Sequence, residues 1–357
     1  MTIPPGPPPY GYGYPPPPPP PPKPGVIPLA PLTFSVILTG AFTAFGRYWK
    51  QLLGVAGAAY LGALLVVGAA IGIGYAAVGD LLPAVFDLPA GQEPRWDDVR
   101  PLIVAFVCVW LVGMIAMVCA NAVVAAACPA VIQEAVLGRP TTFGVIWRRS
   151  WSRMPAVLGT VFLTSAALLI PMFLFLGAFT AMVIALVADY ADGADGAGSG
   201  ISFALPVVLF LVALAALPFG VWIWVKFSLA PAAAVIEGQG PVASMRRSSH
   251  LVHGYWWRLF GCLLAASIMA SVVGMLIQQV LSALASTPLA AADFSGEDSA
   301  AVVASLIAVL AFLTLGQLIS QAVVSVFPPL VTALLYVDQR IRRENLAPDL
   351  ARAAGLG

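Results

Sequence analysis

The sequence predicts an all-α polytopic membrane protein: a bundle of six transmembrane helices, arranged as three related hairpins with interfacial amphipathic helices between them. Three observations carry that expectation. Of the 357 residues, 60% are hydrophobic and only 9% charged, whereas soluble domains carry roughly 25% charged residues. Six apolar runs are long enough for the roughly 20 residues that a crossing helix needs. The cations gather in one alternate set of loops and most acids in the other. A soluble helical protein would need a polar surface that this composition cannot supply.

Residues 1–31 hold sixteen of the 32 prolines, with an unbroken run from Pro15 to Pro22 and Tyr10, Tyr12 and Tyr14 spaced by glycine. Such a tract forms polyproline II and builds no core, so it is expected as a disordered tail. Pro18, Pro21 and Lys23 fit a PxxPx-basic docking pattern, but an eight-proline run makes that pattern nearly unavoidable and a solvated spacer is favoured. Leu32–Phe45 is apolar but only fourteen residues long, too short to cross, and is expected to lie at the interface before Gly46-Arg47-Tyr48-Trp49-Lys50. The first span runs from about Leu52 to Val78, with Gly68 and Gly72 as a weak close-contact motif.

An acidic loop with Asp80, Asp87, Glu93, Asp97 and Asp98 leads to a second span over about Pro101–Ala127. An arginine-bearing connection, 129–154, precedes the third span, about Ala156–Val187, whose length and Pro171 predict tilt or a kink. Asp189, Asp192 and Asp195 mark a Gly-rich turn. The fourth span covers about Phe203–Val225 with Pro206 and Pro218 inside it, and the fifth about Leu259–Ala285. Asp293, Glu297 and Asp298 mark the next loop. The sixth covers about Ala300–Phe327, and residues 338–357 are read as a basic tail after a membrane domain over 32–337.

Six spans place both ends of the sequence on one side. Fifteen of the seventeen Lys and Arg residues share that side, and eleven of the sixteen acids lie opposite. The positive-inside rule then makes both termini cytoplasmic. Lysine occurs only at 23, 50 and 226; the bias to Arg, Ala and Gly suggests a high-GC bacterium and hence a bacterial plasma membrane. No secretory h-region precedes Leu32. A net charge of +1 argues against nucleic acid as a partner. Cys108 and Cys119 lie on one expected helix, roughly 16 Å apart along its axis, too far for a disulfide.

Three segments on the arginine-rich side echo one another. Pro129-Ala-Val-Ile-Gln-Glu134 parallels Pro231-Ala-Ala-Ala-Val-Ile-Glu237, and Gly138-Arg-Pro140 parallels Gly238-Gln-Gly-Pro241. Arg148-Arg-Ser150 matches Arg246-Arg-Ser248, and Gly254-Tyr-Trp-Trp257-Arg258 echoes Gly46-Arg-Tyr-Trp49-Lys50. Repetition of this kind points to duplicated hairpins, with Pro and Gly ending helices near the headgroups. Over about Leu32–Ala353, these motifs and the terminal Leu-Leu-Tyr-Val-Asp-Gln-Arg-Ile-Arg-Arg-Glu344 resemble the membrane domain of glycerophosphoryl diester phosphodiesterases, and more closely the stand-alone bacterial proteins sharing that domain. The resemblance implies the membrane fold. It does not carry over catalysis, which in the fused enzymes belongs to a separate barrel with no counterpart in this sequence.

Candidate chemistry is sparse. His250 and His253 share a helical face and would need a third donor such as Glu237 to hold a metal; interfacial packing beside Trp256 is the favoured role. No nucleophile elbow, Walker loop or dinucleotide fingerprint is present, so no enzyme and no cofactor are expected. Asn121, Gln278, Gln279, Gln317 and Gln321 are the intramembrane polar candidates; amides there bond across helices more often than they line a path. Arg148, Arg149, Arg246, Arg247 and Arg258, with Trp256 and Trp257, are the candidates for lipid headgroups, against the plainer reading that they only fix topology. The expectation is a non-enzymatic module that engages membrane lipids, anionic headgroups among them, or a cytoplasmic protein through its proline-rich tail. A small-molecule or lipid carrier is the alternative.

Overall fold

The computed structural model describes residues 25–86, 95–192, 200–291 and 299–353. The polyproline arm with Pro18, Pro21 and Lys23, and the loop acids Asp87, Glu93, Asp195, Asp293, Glu297 and Asp298, lie outside the described residues. The elements are α1 (Phe34–Val78), α2 (Leu82–Phe86), α3 (Trp96–Val136), α4 (Phe143–Asp192), α5 (Gly200–Phe227), α6 (Ala230–Ile236), α7 (Pro241–Val252), α8 (Trp256–Ala291), α9 (Ser299–Val324), α10 (Phe327–Glu344) and α11 (Ala347–Ala353). Among the described residues there is no strand. Among the described residues six helices are long and apolar enough to cross a membrane, which makes this a multi-pass membrane protein.

The spanning helices pair as α1 with α3, α4 with α5, and α8 with α9, and α3 also packs along α4. Between the pairs, the halves remote from the arginines expose large apolar side chains such as Leu65, Ile73, Phe106, Phe173 and Val212. The core gathers instead at the arginine-rich end, where Ile37, Tyr60, Val131, Ile132, Leu229, Leu251, Leu259 and Leu334 are all buried. Lipid tails are as apolar as leucine, so hairpins surrounded by lipid gain little by clustering. Where the helices emerge from lipid, burial of apolar surface from water drives packing. At about 1.5 Å per residue, the 41 residues of α3 reach roughly 60 Å, twice the roughly 30 Å of hydrocarbon. Its buried residues all lie from Ala120 onward.

The hub of that end is α10. Pro328 and Pro329 cannot continue a helix without losing hydrogen bonds, so the chain breaks at 325–326 and restarts with prolines in the first turn. Asn345, left-handed at φ 54°, ends it. From Leu330 to Gln339 every residue but Thr332 is buried, Asp338 and Gln339 included. The boundary expected at 337/338 therefore falls inside a continuous helix.

The segment expected as a short helix before the first span is helical from Phe34, buries Ile37, Gly40, Ala41 and Ala44, and joins the span across a kink at Tyr48 (φ −117°, ψ 19°). One further expectation shifts. Residues 25–31, expected within the proline-rich tail, form with Leu32 a buried strap. Val26 N–H donates to Ala135 O at 3.1 Å, Ile27 and Leu32 are fully buried, and a side chain on Gly25 would strike the Ala135 and Val136 carbonyls.

The repeat has a structural counterpart in two glycines. Gly138 (φ 71°) follows α3 and Gly238 (φ 70°) follows α6. After α3, Arg139 N–H returns to Glu134 O at 3.0 Å and Gly138 N–H to Ala135 O at 3.3 Å, the paired bonds of a Schellman ending that needs a left-handed residue. The four cysteines are unpaired.

Candidate functional site

Two polar clusters meet around α10. In the first, the Asp338 carboxylate is fully buried and faces three donors. Leu32 N–H donates to Oδ1 at 2.8 Å, Arg342 Nε donates from 3.0 Å one turn along the helix, and Arg258 Nη1 stands 2.8 Å from Oδ2. The Arg258 Nη1 contact is one of charge without hydrogen-bond alignment. Arg258 and Arg342 also donate to the Leu32 carbonyl, at 2.5 and 2.6 Å. Both backbone polar groups of Leu32 are thus held by one acid and two guanidiniums, which is what fastens the strap.

In the second cluster, Glu237 at the end of α6 accepts from Arg247 Nε at 3.0 Å and from the Tyr336 hydroxyl. Arg247 also pairs with Glu344, and Arg340 donates to Glu344 at 2.9 Å. Burial acts to lower the Arg247 pKa, but the hydrogen bonds and charges of the acids outweigh it and hold the guanidinium above its ordinary value. The cluster joins α6, α7 and α10.

These contacts divide the candidate arginines. In both Arg-Arg-Ser segments the second arginine turns back onto the acid that closes the preceding helix: Arg247 onto Glu237, and Arg149 onto Glu134 at 3.6 Å and the Gln133 amide oxygen. The serine that follows is buried in each, with Ser248 Oγ donating to Lys226 O at 2.8 Å and Ser150 Oγ to Ile146 O at 2.8 Å. The first arginines differ. Arg148 and Arg246 are exposed, and among the described residues neither makes an ion pair. Arg149, Arg247 and Arg258, read from sequence as headgroup ligands, are engaged within the chain.

Trp256 stacks on Phe260 at 5.2 Å and meets Trp257 edge-on at 4.7 Å; Trp257 is 77% exposed. His250 and His253 are exposed and lend only their carbonyls to the site, which accept from Arg343. Among the described residues no three His, Cys, Asp or Glu side chains are placed to share a metal.

The intramembrane amides also separate. Asn121 accepts from the Tyr60 hydroxyl at 2.8 Å, tying α3 to α1, and donates to Met117 O. Gln321 and Ser325 are near the same phenol. Gln278, Gln279 and Gln317 are exposed on α8 and α9 and are not brought to that cluster. Near it, Ala58, Gly62, Ala116 and Ala120 floor an apolar groove of about 530 Å³, walled by Trp147 and Trp151 on the first turns of α4. Those two indoles stack at 5.8 Å on either side of Arg148 in the sequence.

Sequence reasoning missed Asp338, Tyr336 and Arg342, whose segment reads as a charged tail. The signal was present in Asp338-x-x-x-Arg342, an i,i+4 pair in the favourable order. No family model, no curated protein and no solved structure matches the chain.

Proposed function

We propose that this multi-pass protein is a non-enzymatic module of the bacterial plasma membrane that engages anionic lipid headgroups through Arg148 and Arg246, on a cytoplasmic arginine-rich end. One observation carries the reading: of each duplicated arginine pair, one guanidinium is neutralised within the chain while its neighbour stands exposed without a counter-ion among the described residues. An unpaired guanidinium beside tryptophans suits lipid phosphate, which it can bind through two parallel hydrogen bonds. The groove walled by Trp147 and Trp151 offers apolar surface for the acyl chains of the same lipid. A module without chemistry of its own also accords with the likeness to the membrane domain of glycerophosphoryl diester phosphodiesterases. The proline-rich arm is proposed as a second contact, for a cytoplasmic protein.

The test is lipid recovery. Each Arg near an anionic surface contributes about 1 kcal/mol, so Arg148→Gln with Arg246→Gln should weaken retention of phosphatidylglycerol by roughly 10- to 30-fold. Mass spectrometry of lipids carried through purification from mixed phosphatidylglycerol–phosphatidylethanolamine membranes reads this directly. Unchanged recovery of the anionic lipid sinks the proposal.

A further inference from the structure

A cavity of about 410 Å³ lies between the α4–α5 and α8–α9 hairpins, beneath the start of α10. Six hydroxyls line it: Thr160, Thr164, Ser165, Ser228, Ser267 and Thr332. No ionisable side chain does. Four of these hydroxyls have already committed their hydrogen to a carbonyl of their own helix: Thr160 to Val157, Thr164 to Thr160, Ser228 to Val225 and Thr332 to Pro328, at 2.7–2.8 Å. They can therefore only accept. Ser165 and Ser267 make no hydrogen bond among the described residues and can do either.

Two helix interruptions meet at the same place. Pro231, Pro328 and Pro329 line the cavity beside the breaks at 228–229 and 325–326. Pro231 has no N–H, so the Phe227 carbonyl at the cavity wall loses its helical donor and adds one more acceptor. Interrupted backbone at membrane depth is tolerated where it is buried or lines a cavity. The remaining wall is apolar, with Trp224, Phe227, Leu168 and Leu263. Phe162 and Ile268, on the two flanking helices, are exposed, so the gap between the hairpins faces the bilayer.

The geometry points to a binding site for an uncharged amphiphile that carries hydroxyl groups on an apolar tail and enters from the membrane. A ring of acceptors selects a ligand that donates. The absence of any counter-charge disfavours an ion, whose burial without a partner is costly. Neither Arg148 nor Arg246 lines this site, which does not depend on the headgroup reading.

The test is photolabelling of the purified full-length chain by hexadecanol bearing a diazirine in its tail. The label should map to Thr160–Leu168 and Pro328–Thr332. Unlabelled hexadecanol should compete, and hexadecanoate at pH 8 should not. Loss of one hydrogen bond is worth about a fivefold change in affinity, so Ser267→Ala should reduce labelling by about that factor and Ser267→Leu, which fills the space, by more. Gel-filtration profiles are compared first; if Ser267→Leu aggregates, Ser267→Ala decides alone. Labelling that is unchanged in Ser267→Ala, equal competition by hexadecanoate, or label confined to lipid-facing positions elsewhere overturns the proposal. Retained anionic lipid with no alcohol labelling would defeat this inference and leave the arginine reading standing.

Discussion

Replacing Asp338 with Asn removes a charge but almost no volume from the middle of the α10 junction. The amide oxygen can still accept the Leu32 N–H, now as a neutral bond, but both guanidinium contacts lose their counter-charge. Removing one partner of a buried pair costs about 3–5 kcal/mol. The Arg258 and Arg342 side chains are 25% and 23% exposed, so water screens part of the loss and the lower figure, about 3 kcal/mol, applies. At about 1.4 kcal/mol per decade, local opening becomes roughly 100-fold more frequent. Cys262 is fully buried with Arg258 and Asp338 as its charged neighbours, and it reports that opening. Its alkylation rate in the folded protein, followed by peptide mass spectrometry, should rise roughly 100-fold in Asp338→Asn. Arg258→Gln should give a smaller rise, and the double variant less than the product of the two. A change below about threefold, or full multiplicativity, would refute the assignment of Asp338 as the shared anchor.

The division of the arginines gives a second prediction: Arg247→Gln should lower stability by about 2–4 kcal/mol, because Glu237 and Glu344 lose their shared cation, whereas Arg246→Gln should stay within about 0.5 kcal/mol. Thermal unfolding of the detergent-solubilised protein compares them, and equal midpoints would contradict the division. Third, Gly238→Ala forces a side chain into a left-handed position (φ +70°) and to 2.9 Å from the Arg153 guanidinium, at a cost of about 1–2 kcal/mol. Gly144→Ala, inside α4 with nothing within 4 Å of the added carbon, is the control and should melt no lower than the wild type.

The span count, the three hairpins and the concentration of arginine at one end were legible because hydropathy, length and charge are properties of residues in order. Partnership is not. Arg247 and Glu237 are ten residues apart and suggest each other, but Glu344 comes 97 residues after Arg247, and only the folded chain brings it there. From Asp338 onward α10 carries enough charge to read as a tail, whereas α1, α3, α6, α7 and α8 surround the helix and Glu237, Arg247 and Arg258 supply counter-charges that make its burial tolerable. The strap was hidden by its prolines: Pro28 and Pro31 suggest a continuing tract, and the apolar Val26, Ile27, Leu29 and Leu32 around them are what packs. Among the candidate amides, Asn121 accepts from Tyr60 across the α1–α3 contact, a partner 61 residues away that local spacing does not name.

The clasp on Leu32 also sets an order of assembly. Its carboxylate lies 306 residues downstream, so Leu32 has nothing to grip until α10 has been made. At about 5–20 residues per second, that wait lasts roughly 15 to 60 seconds. Throughout that interval the strap before α1 stays unlatched, and its docking marks the moment at which α10 first holds it.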